Sequence, residues 1–242
     1  MKETLFNLGK PILNDWTKIA QHLLPGLCLL CGTPATKGNL CQGCRDDLPY
    51  LPRDRCPRCA APSHAGAVCG ACLQNPPEFD LALAPCAYAH PLDRAIQSFK
   101  FASNLAAAPM LADLMLTEIR ATTLPDLIVP MPLSRERLRE RGFNQSLEIA
   151  RIIAVEIGVV LDPEVCRRIQ HGAAQSALAW DERAKNIRGA FVCVDDLHGR
   201  SVAVVDDVLT TGSTLNEIAR VLRKRGATQV IGWIAARTLG RS

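Results

Sequence analysis

The strongest constraint on the fold is a repeat of paired cysteines near the N-terminus. Eight of the eleven cysteines form four C-x-x-C pairs, which are Cys28/Cys31, Cys41/Cys44, Cys56/Cys59 and Cys69/Cys72. A shift of 28 residues aligns "CLLCGTPATKGNLCQGC" with "CPRCAAPSHAGAVCGAC", and Pro34 and Pro49 then fall on Pro62 and Pro77. The segment therefore contains two copies of one small unit.

Each copy has the spacing of a four-cysteine metal site. A C-x-x-C turn presents two thiolates to one ion, and two such turns complete a tetrahedral set. A unit this small cannot bury a sufficient core, so a metal replaces it. We expect two structural zinc ions in sequential sites, one in each copy. A redox dithiol pair, a disulfide module and an interleaved, cross-brace pairing of the C-x-x-C turns are the alternatives.

Three cysteines stand outside this pattern. Cys86, Cys166 and Cys193 each lie in an apolar or strand-like run. Free cysteine behaves as a small apolar residue, so we expect these three to be buried thiols.

Composition gives the chain a globular character but no strong partner preference. Of its 242 residues, 48% are hydrophobic and 21% charged, and the net charge of +4 is shared about equally by residues 1–78 and 79–242. Charge alone is therefore a weak argument for nucleic-acid binding. The N-terminus has no continuous apolar signal region, and no segment has the length and apolarity of a membrane span. We expect a cytoplasmic protein without membrane insertion.

Three regions follow from the change in pattern along the chain. We expect an N-terminal helical segment in residues 1–24, a double zinc ribbon in 25–78 and an α/β domain in 79–242. In the last region, strand-like runs such as "DLIVPMP", "SVAVVDD" and "TQVIGWIAAR" alternate with helical patterns such as "NQSLEIARIIAVEIG". This alternation predicts a Rossmann-like, mostly parallel sheet.

The stretch "SVAVVDDVLTTGSTL" contains the clearest candidate site. Asp206 and Asp207 end a buried-looking strand, where parallel α/β sheets bind ligands. The loop Thr210–Thr214 then leads into a helix, whose first N–H groups attract anions. Gly212 allows close approach of the backbone, and Thr210, Thr211, Ser213 and Thr214 add hydroxyl donors. A phosphorylated ribose would satisfy both the carboxylates and the loop.

The alternative is an ordinary N-capped helix with carboxylates near its cap. It explains one Asp and one Thr, but not an adjacent carboxylate pair followed by a Gly among four hydroxyl residues. The G-x-x-x-x-G-K-[ST] loop and the G-x-G-x-x-G motif are both absent from the sequence.

"VAVVDDVLTTGST" closely resembles the signature of type I phosphoribosyltransferases, which bind 5-phosphoribosyl 1-pyrophosphate (PRPP). With "VPMPLSRERLRERGFNQS", "QSALAWDERAKNIRGAF" and the Cys-rich module, nearly the whole chain resembles the ComF family, which is linked to DNA uptake in competence. The resemblance implies that Asp206 and Asp207 hold the ribose hydroxyls and that Thr210–Thr214 hold the 5′-phosphate. It also implies Mg²⁺ bound with PRPP, and proteins of the DNA-uptake machinery as partners.

The resemblance adds further site residues. The loop after the "LIVPMP" strand, with Met131 and Pro132, is implied to approach the pyrophosphate, and Arg135, Arg137 and Arg141 are candidate partners, Arg141 first among them. The alternative is that "RERLRER" is a solvated helix start. Lys100 has either a ligand-facing role or that of an ordinary amphipathic helix lysine. Residues 175–186 correspond to a region that covers the site.

One departure leaves catalysis open. Purine-base transferases of this fold often carry an acid two residues before the loop Gly, where this chain has Thr210, and no acceptor pocket is legible. If catalytic, the protein would transfer phosphoribose to an amine or base and release pyrophosphate. The alternative is a non-catalytic protein that binds single-stranded DNA through Arg53, Arg55, Arg58 and the arginines of 135–141, with the PRPP fold as a sensor or backbone cradle.

Overall fold

The computed structural model describes residues 26–35, 39–169 and 187–239. Two sequence predictions lie outside these residues: the N-terminal helical segment 1–24 and the covering region 175–186.

The two copies of the cysteine repeat fold alike. In the first, β1 (Gly26–Leu27) pairs antiparallel with β2 (Pro34–Ala35), and α1 spans Gln42–Asp46; in the second, α2 spans Gly70–Gln74. Equivalent backbone hydrogen bonds in the two copies are also 28 residues apart. The first C-x-x-C turn is closed by Gly32 N to Cys28 O at 2.8 Å in one copy and by Ala60 N to Cys56 O at 2.9 Å in the other.

A parallel sheet forms the centre of the larger region, as predicted. Its strands in chain order are β3 (Leu81–Leu83), β4 (Cys86–Ala87), β5 (Leu127–Pro130), β6 (Val160–Leu161), β9 (Ser201–Leu209) and β10 (Gln229–Arg237). The spatial order is β3-β10-β9-β5-β6, β4 also pairs with β10, and all of these pairings are parallel. Two further strands, β7 (Cys166–Arg168) and β8 (Phe191–Cys193), form a separate antiparallel pair.

Helices cover both faces of this sheet. They are α3 (Leu92–Phe101), α4 (Ala107–Ile119), α6 (Gln145–Ile157) and α7 (Ser213–Lys224), whereas α5 (Arg135–Arg141) has no buried residue and packs into neither core. Because side chains alternate along a strand, β9 gives Ala203 and Val205 to the core beneath α3, α4 and α6, and Val202 and Val204 to the core beneath α7. Within the described ranges, every helix is too short or too polar to cross a membrane.

The two ribbons dock on the larger region through arginines. Arg45 of the first ribbon forms an ion pair with Asp113 on α4 at 2.9 Å. Arg55, just before the second ribbon, donates to the carbonyl of Ala84 at 2.7 Å and pairs with Glu118 of α4. The ribbons therefore pack against the sheet domain instead of extending away from it.

The three cysteines outside the repeat are buried free thiols, which confirms the prediction. Cys86, Cys166 and Cys193 are at most 1% exposed. Burial raises the pKa of Cys86 to about 12, so this thiol stays protonated at neutral pH. These residues contribute apolar packing and no reactive thiolate.

Candidate functional site

The eight cysteines of the repeat form two clusters, each built from one copy. Cys28, Cys31, Cys41 and Cys44 make the first, and Cys56, Cys59, Cys69 and Cys72 the second; within each cluster the four sulfurs lie within 4.8 Å of one another. The sulfurs of Cys31 and Cys41 are 3.6 Å apart, as are those of Cys59 and Cys69. A tetrahedral site with Zn–S bonds of about 2.3 Å places its sulfurs about 3.8 Å apart. The clusters fit zinc, and they are sequential, not interleaved.

Backbone N–H groups favour thiolates in both clusters. Cys69 N lies 3.4 Å from the sulfur of Cys56, and Cys44 N lies 3.4 Å from that of Cys41. Although burial opposes ionisation, such donors lower the pKa of Cys28 to about 6 and that of Cys56 to about 7. Thiolates are the form that binds zinc, and each cluster favours at least one of them, whereas the hydrogen bond with Cys31 raises the pKa of Cys44 and burial raises that of Cys72.

Metal analysis of the purified protein is expected to give two zinc ions per chain. Each cluster supplies four sulfurs, which is a closed coordination shell for one ion. A single variant, Cys31→Ser, is expected to reduce the content towards one. A wild-type content of one zinc or none would contradict the two-site assignment.

A carboxylate pair lies near the end of the central strand. β9 runs through Leu209, so Asp206 and Asp207 are part of the strand instead of ending it. Strand β5 pairs with β9 only as far as Pro130, opposite Val205. The two carboxylates therefore begin where the neighbouring strand stops, at the open carboxyl edge of the sheet where ligands bind in this fold class.

Asp206 is held by groups that orient its carboxylate. Its Oδ1 accepts a hydrogen bond from Ser146 Oγ at 3.1 Å and one from the backbone N–H of Asp207 at 2.9 Å. Burial, together with the negative charge of Asp207, raises the pKa of Asp206 to about 7. A carboxyl group that exchanges its proton near neutral pH is a frequent mark of a functional site.

Asp207 is paired with Lys100 inside the protein. Lys100 Nζ lies 2.9 Å from Asp207 Oδ1, and the two side chains are only 20% and 9% exposed. Sequence analysis singled out Lys100 but did not predict this partner, which lies 107 positions further along the chain. A ligand that approaches Asp207 would therefore meet a cation beside the carboxylate.

The loop Thr210–Thr214 leads from β9 into helix α7. Gly212 is the N-cap of α7 with a left-handed φ of 84° and has no side chain to cap the helix, whereas Ser213 N, the first N–H of the helix, donates to Thr211 Oγ1 at 3.3 Å. The first intrahelical bond is made by Asn216 N, so the N–H groups of the preceding turn point out of the helix end. Thr211 Oγ1 and Ser213 Oγ lie 2.8 Å apart at the same end. The loop offers backbone and hydroxyl donors to an anion.

A second loop borders the carboxylates. After β5, Met131 N donates to the carbonyl of Val205 at 2.9 Å, and Met131 and Pro132 are buried. Asn144 Nδ2 donates to the carbonyl of Met131 at 3.1 Å, and the side chain of Asn144 also caps α6. This arrangement fixes the loop close to the strand that carries Asp206.

Arg141 is the arginine of α5 that lies near the carboxylate pair. Arg141 donates to Gln145 at 3.0 Å and lies over the ring of Phe101, with its guanidinium carbon 5.4 Å from the centroid. Burial and the charge of Arg137 lower the pKa of Arg141, while both carboxylates oppose the shift. Arg141 is therefore within electrostatic range of Asp206 and Asp207, whereas residues 135–140 of α5 are exposed to solvent.

Sequence reasoning missed three residues of this site. Arg168 of β7 has its guanidinium carbon 5.6 Å from the centroid of the Phe191 ring; burial and the charge of Arg137 lower the pKa of Arg168, and Asp206 opposes this shift. Ser146 contacts Asp206, and Arg237 contacts the carbonyl of Thr210. No motif marks Arg168, and Ser146 ends the quoted motif of residues 129–146 without being singled out there. For Arg237, a lone cation at the end of an apolar strand was an available signal.

Comparison with known families divides the chain into two parts. Residues 19–73 match the double zinc ribbon domain, and residues 146–237 match the phosphoribosyl transferase domain. These matches confirm the predicted fold class, a double zinc ribbon followed by a phosphoribosyltransferase-type domain, and they place both four-cysteine clusters in a zinc ribbon domain.

Full-length relatives are similar over most of the chain. "DNA utilization protein YhgH" of Escherichia coli (strain K12) is 37% identical over 225 residues, which cover 89% of this chain and 99% of the relative. "Competence protein F" of Haemophilus influenzae is 33% identical over 211 residues, covering 83% and 91% respectively. "Competence protein ComFC" of Bacillus subtilis is 24% identical, covering 83% and 90%.

Solved structures with similar folds include two enzymes. Glutamine phosphoribosylpyrophosphate (PRPP) amidotransferase from B. subtilis matches with a TM-score of 0.41 and 18% identity, covering 57% of this chain and 30% of that chain. Adenine phosphoribosyltransferase from Leishmania tarentolae matches with a TM-score of 0.39 and 12% identity, covering 66% and 93%.

Proposed function

The chain belongs to the ComF family, and we propose that it binds PRPP with Mg²⁺ in a DNA-handling process such as uptake or utilization. The observation that supports this most directly is the carboxylate pair at the open edge of the sheet beside the N-terminus of helix α7. In this proposal residues 25–78 are the zinc module and 79–242 the ligand-binding domain. The reduced thiols of the zinc sites favour a cytoplasmic location.

Each part of PRPP has matching groups in this site. Asp206 and Asp207 accept hydrogen bonds from the ribose hydroxyls, and Thr210–Thr214 with the first turn of α7 donate to the 5′-phosphate. The loop at Met131 and Pro132 approaches the pyrophosphate, with Arg141 as its cationic partner. Mg²⁺ prefers carboxylate and phosphate oxygens, so it would bind at the carboxylates together with the pyrophosphate and offset its charge.

Lys100 has a second role in this proposal. Its ion pair with Asp207 keeps that carboxylate compensated in a nearly buried position before a ligand arrives. When Mg²⁺ and ribose hydroxyls satisfy Asp207, the ammonium group is free to contact the phosphates. Because Lys100 would exchange Asp207 for the phosphates, it belongs to the ligand site and not to the outer surface.

Binding of single-stranded DNA is the second candidate. The exposed helix α5 presents Arg135, Arg137 and Arg139 next to the site, which favours contact with a phosphate backbone. Arg55 does not belong to this surface, because it is bonded to Ala84 and Glu118. Aromatic residues for base stacking are 5% of the chain, so the contact would be mainly electrostatic.

A salt-dependent comparison of the two ligands tests both candidates. We expect calorimetric binding of PRPP with Mg²⁺ by the purified protein, and micromolar or weaker DNA binding, as for non-specific complexes with Kd of about 10⁻⁴–10⁻⁶ M. DNA affinity should fall with salt, with a log–log slope of about −0.7 per phosphate neutralised. Replacing Arg137 and Arg139 with Ala should flatten this slope.

The control for that comparison is Arg151→Ala, because Arg151 lies on α6 and pairs with Glu148 at 2.7 Å. This variant should keep the wild-type salt slope. Absence of PRPP binding in the wild-type protein would refute the main proposal. Binding of PRPP with release of pyrophosphate on addition of an amine or base would establish an enzyme.

A further inference from the structure

Arg237, the last residue of β10, connects two parts of the molecule through backbone carbonyls. Its Nε donates to the carbonyl of Cys59 at 3.0 Å. Its Nη1 donates to the carbonyls of Leu209 at 2.9 Å and Thr238 at 2.7 Å, and it also contacts the carbonyl of Thr210. A guanidinium suits this task, because its planar group carries several N–H donors in fixed directions.

The two ends of this connection are functionally distinct. Cys59 is a ligand of the second zinc cluster, with its sulfur 3.6 Å from that of Cys69. Thr210 begins the loop that holds the anion-binding end of α7. One side chain therefore bonds to the backbone of a metal knuckle and to the backbone of the candidate phosphate loop.

The space between the ribbon and the loop makes this contact important. A cleft of about 330 Å³ separates them, and its walls include Cys72, Asn75, Thr211 and Ser213. Arg237 lines this cleft and bonds to both of its sides, to the Cys59 knuckle and to the loop at Thr210. A second contact nearby is the hydrogen bond from Glu78 N to Asn216 Oδ1 at 2.6 Å on helix α7.

Both ribbons contact helix α4, the second through the ion pair of Arg55 with Glu118. In the first ribbon, Arg45 pairs with Asp113, and Asn39 donates to the carbonyl of Ala106 at 3.0 Å. Both partners lie at helix α4, not at the phosphate loop. The structure therefore distinguishes the two zinc sites, although their sequences are copies of one unit.

We propose that Arg237 is a positioning residue that couples the second zinc site to the phosphate loop. The zinc ion fixes the Cys59 knuckle, the knuckle carbonyl orients Arg237, and Arg237 holds the carbonyl of Thr210. The inference rests on the proposed binding of PRPP at Thr210–Thr214. Because coupling between two binding sites is reciprocal, PRPP also retains zinc in the second cluster.

Zinc release to a colorimetric chelator, with and without PRPP and Mg²⁺, tests this coupling. At equilibrium with the chelator, PRPP is expected to raise the zinc affinity of the second site about 5-fold or more in wild-type protein, the lower end of typical coupling factors. Cys69→Ser identifies the zinc of that site, because the variant lacks it. Arg237→Lys should retain two zinc ions and lose the effect of PRPP on release. Its PRPP affinity, and that of Cys69→Ser, should be about 10-fold weaker, as for loss of a charge-assisted contact.

Arg45→Lys is the matched control, because it weakens the attachment of the first ribbon by the same change of side chain. It should keep both the PRPP affinity and the PRPP-dependent zinc release. A purely structural role of Arg237 would lower the thermal stability but leave the PRPP effect on zinc release intact. An intact PRPP effect in Arg237→Lys would overturn the inference. Wild-type PRPP affinity in both Arg237→Lys and Cys69→Ser would also overturn it. In either case the proposal that the protein binds PRPP would stand. Failure of the wild-type protein to bind PRPP would overturn both proposals.

Discussion

Removal of zinc by a strong chelator is expected to unfold residues 26–75 while the parallel sheet persists. Structural zinc contributes about 10 kcal/mol of folding free energy per ion in small modules. The described part of the ribbons has few buried apolar residues to replace it; they are Cys28, Ala35, Leu40, Leu48, Leu51, Cys56, Cys59 and Ala60. Limited proteolysis should therefore cut within 39–75 after chelation and not before.

The sheet domain should survive with lower stability. Its own cores contain large buried side chains such as Trp233, Phe99 and Leu114, which do not depend on metal. It loses the ion pairs of Arg45 and Arg55 with α4, so the Tm should fall by several degrees. Readdition of zinc should restore protease resistance and serves as the control. A chelated protein that keeps residues 39–75 resistant to protease would contradict the assignment.

The zinc module was predictable because its information is local. Each cluster lies within a 17-residue span, and the C-x-x-C turn itself brings two sulfurs together. The offset of 28 residues between copies reappears in the fold, where Cys41 and Cys69 both precede a five-residue helix. What the sequence did not reveal is that both copies contact helix α4, whereas Arg237 bonds the second copy to the loop Thr210–Thr214.

The candidate site was predictable only where it is continuous in sequence. The carboxylate pair and the loop Thr210–Thr214 follow each other on one strand and one turn, so their proximity is fixed by the chain. Lys100 and Arg237 reach this segment through the topology of the sheet and its helices. Which side chains converge depends on strand order and register, which hydrophobic periodicity does not specify.

The structure also changes the expectation about proton transfer. The sequence places Thr210 where related enzymes often have an acid, and sequence analysis found no group in the loop that could take a proton at neutral pH. In the fold, burial and the charge of Asp207 raise the pKa of Asp206 to about 7. A carboxylate with this pKa accepts a proton readily near neutrality, so such a group lies just before the loop.

Replacing Asp206 and Asp207 with Asn is expected to weaken PRPP–Mg²⁺ binding by about 30-fold or more. Each change preserves the size of the side chain but removes the charge that strengthens a hydrogen bond from a ribose hydroxyl, at about 1 kcal/mol or more per site. Calorimetry at pH 8 measures this loss. Asp126→Asn is the matched control, because Asp126 bonds to Ser201 at 2.8 Å at the opposite end of the same strands. Wild-type affinity in a folded double variant would refute the ribose role.

The pH dependence of PRPP affinity tests whether Asp206 binds the ligand as a carboxylate. Because the raised pKa of Asp206 keeps a proton on it below about pH 7, and only the ionised form gives the charge-assisted bonds, affinity for PRPP should increase from pH 6 to pH 8. The phosphates of PRPP titrate in the same range in every variant. The test is therefore the difference between proteins: Asp206→Asn should flatten the profile, whereas Asp126→Asn should keep the wild-type slope. Parallel profiles for wild type and Asp206→Asn would show that Asp206 does not bind the ligand as a carboxylate.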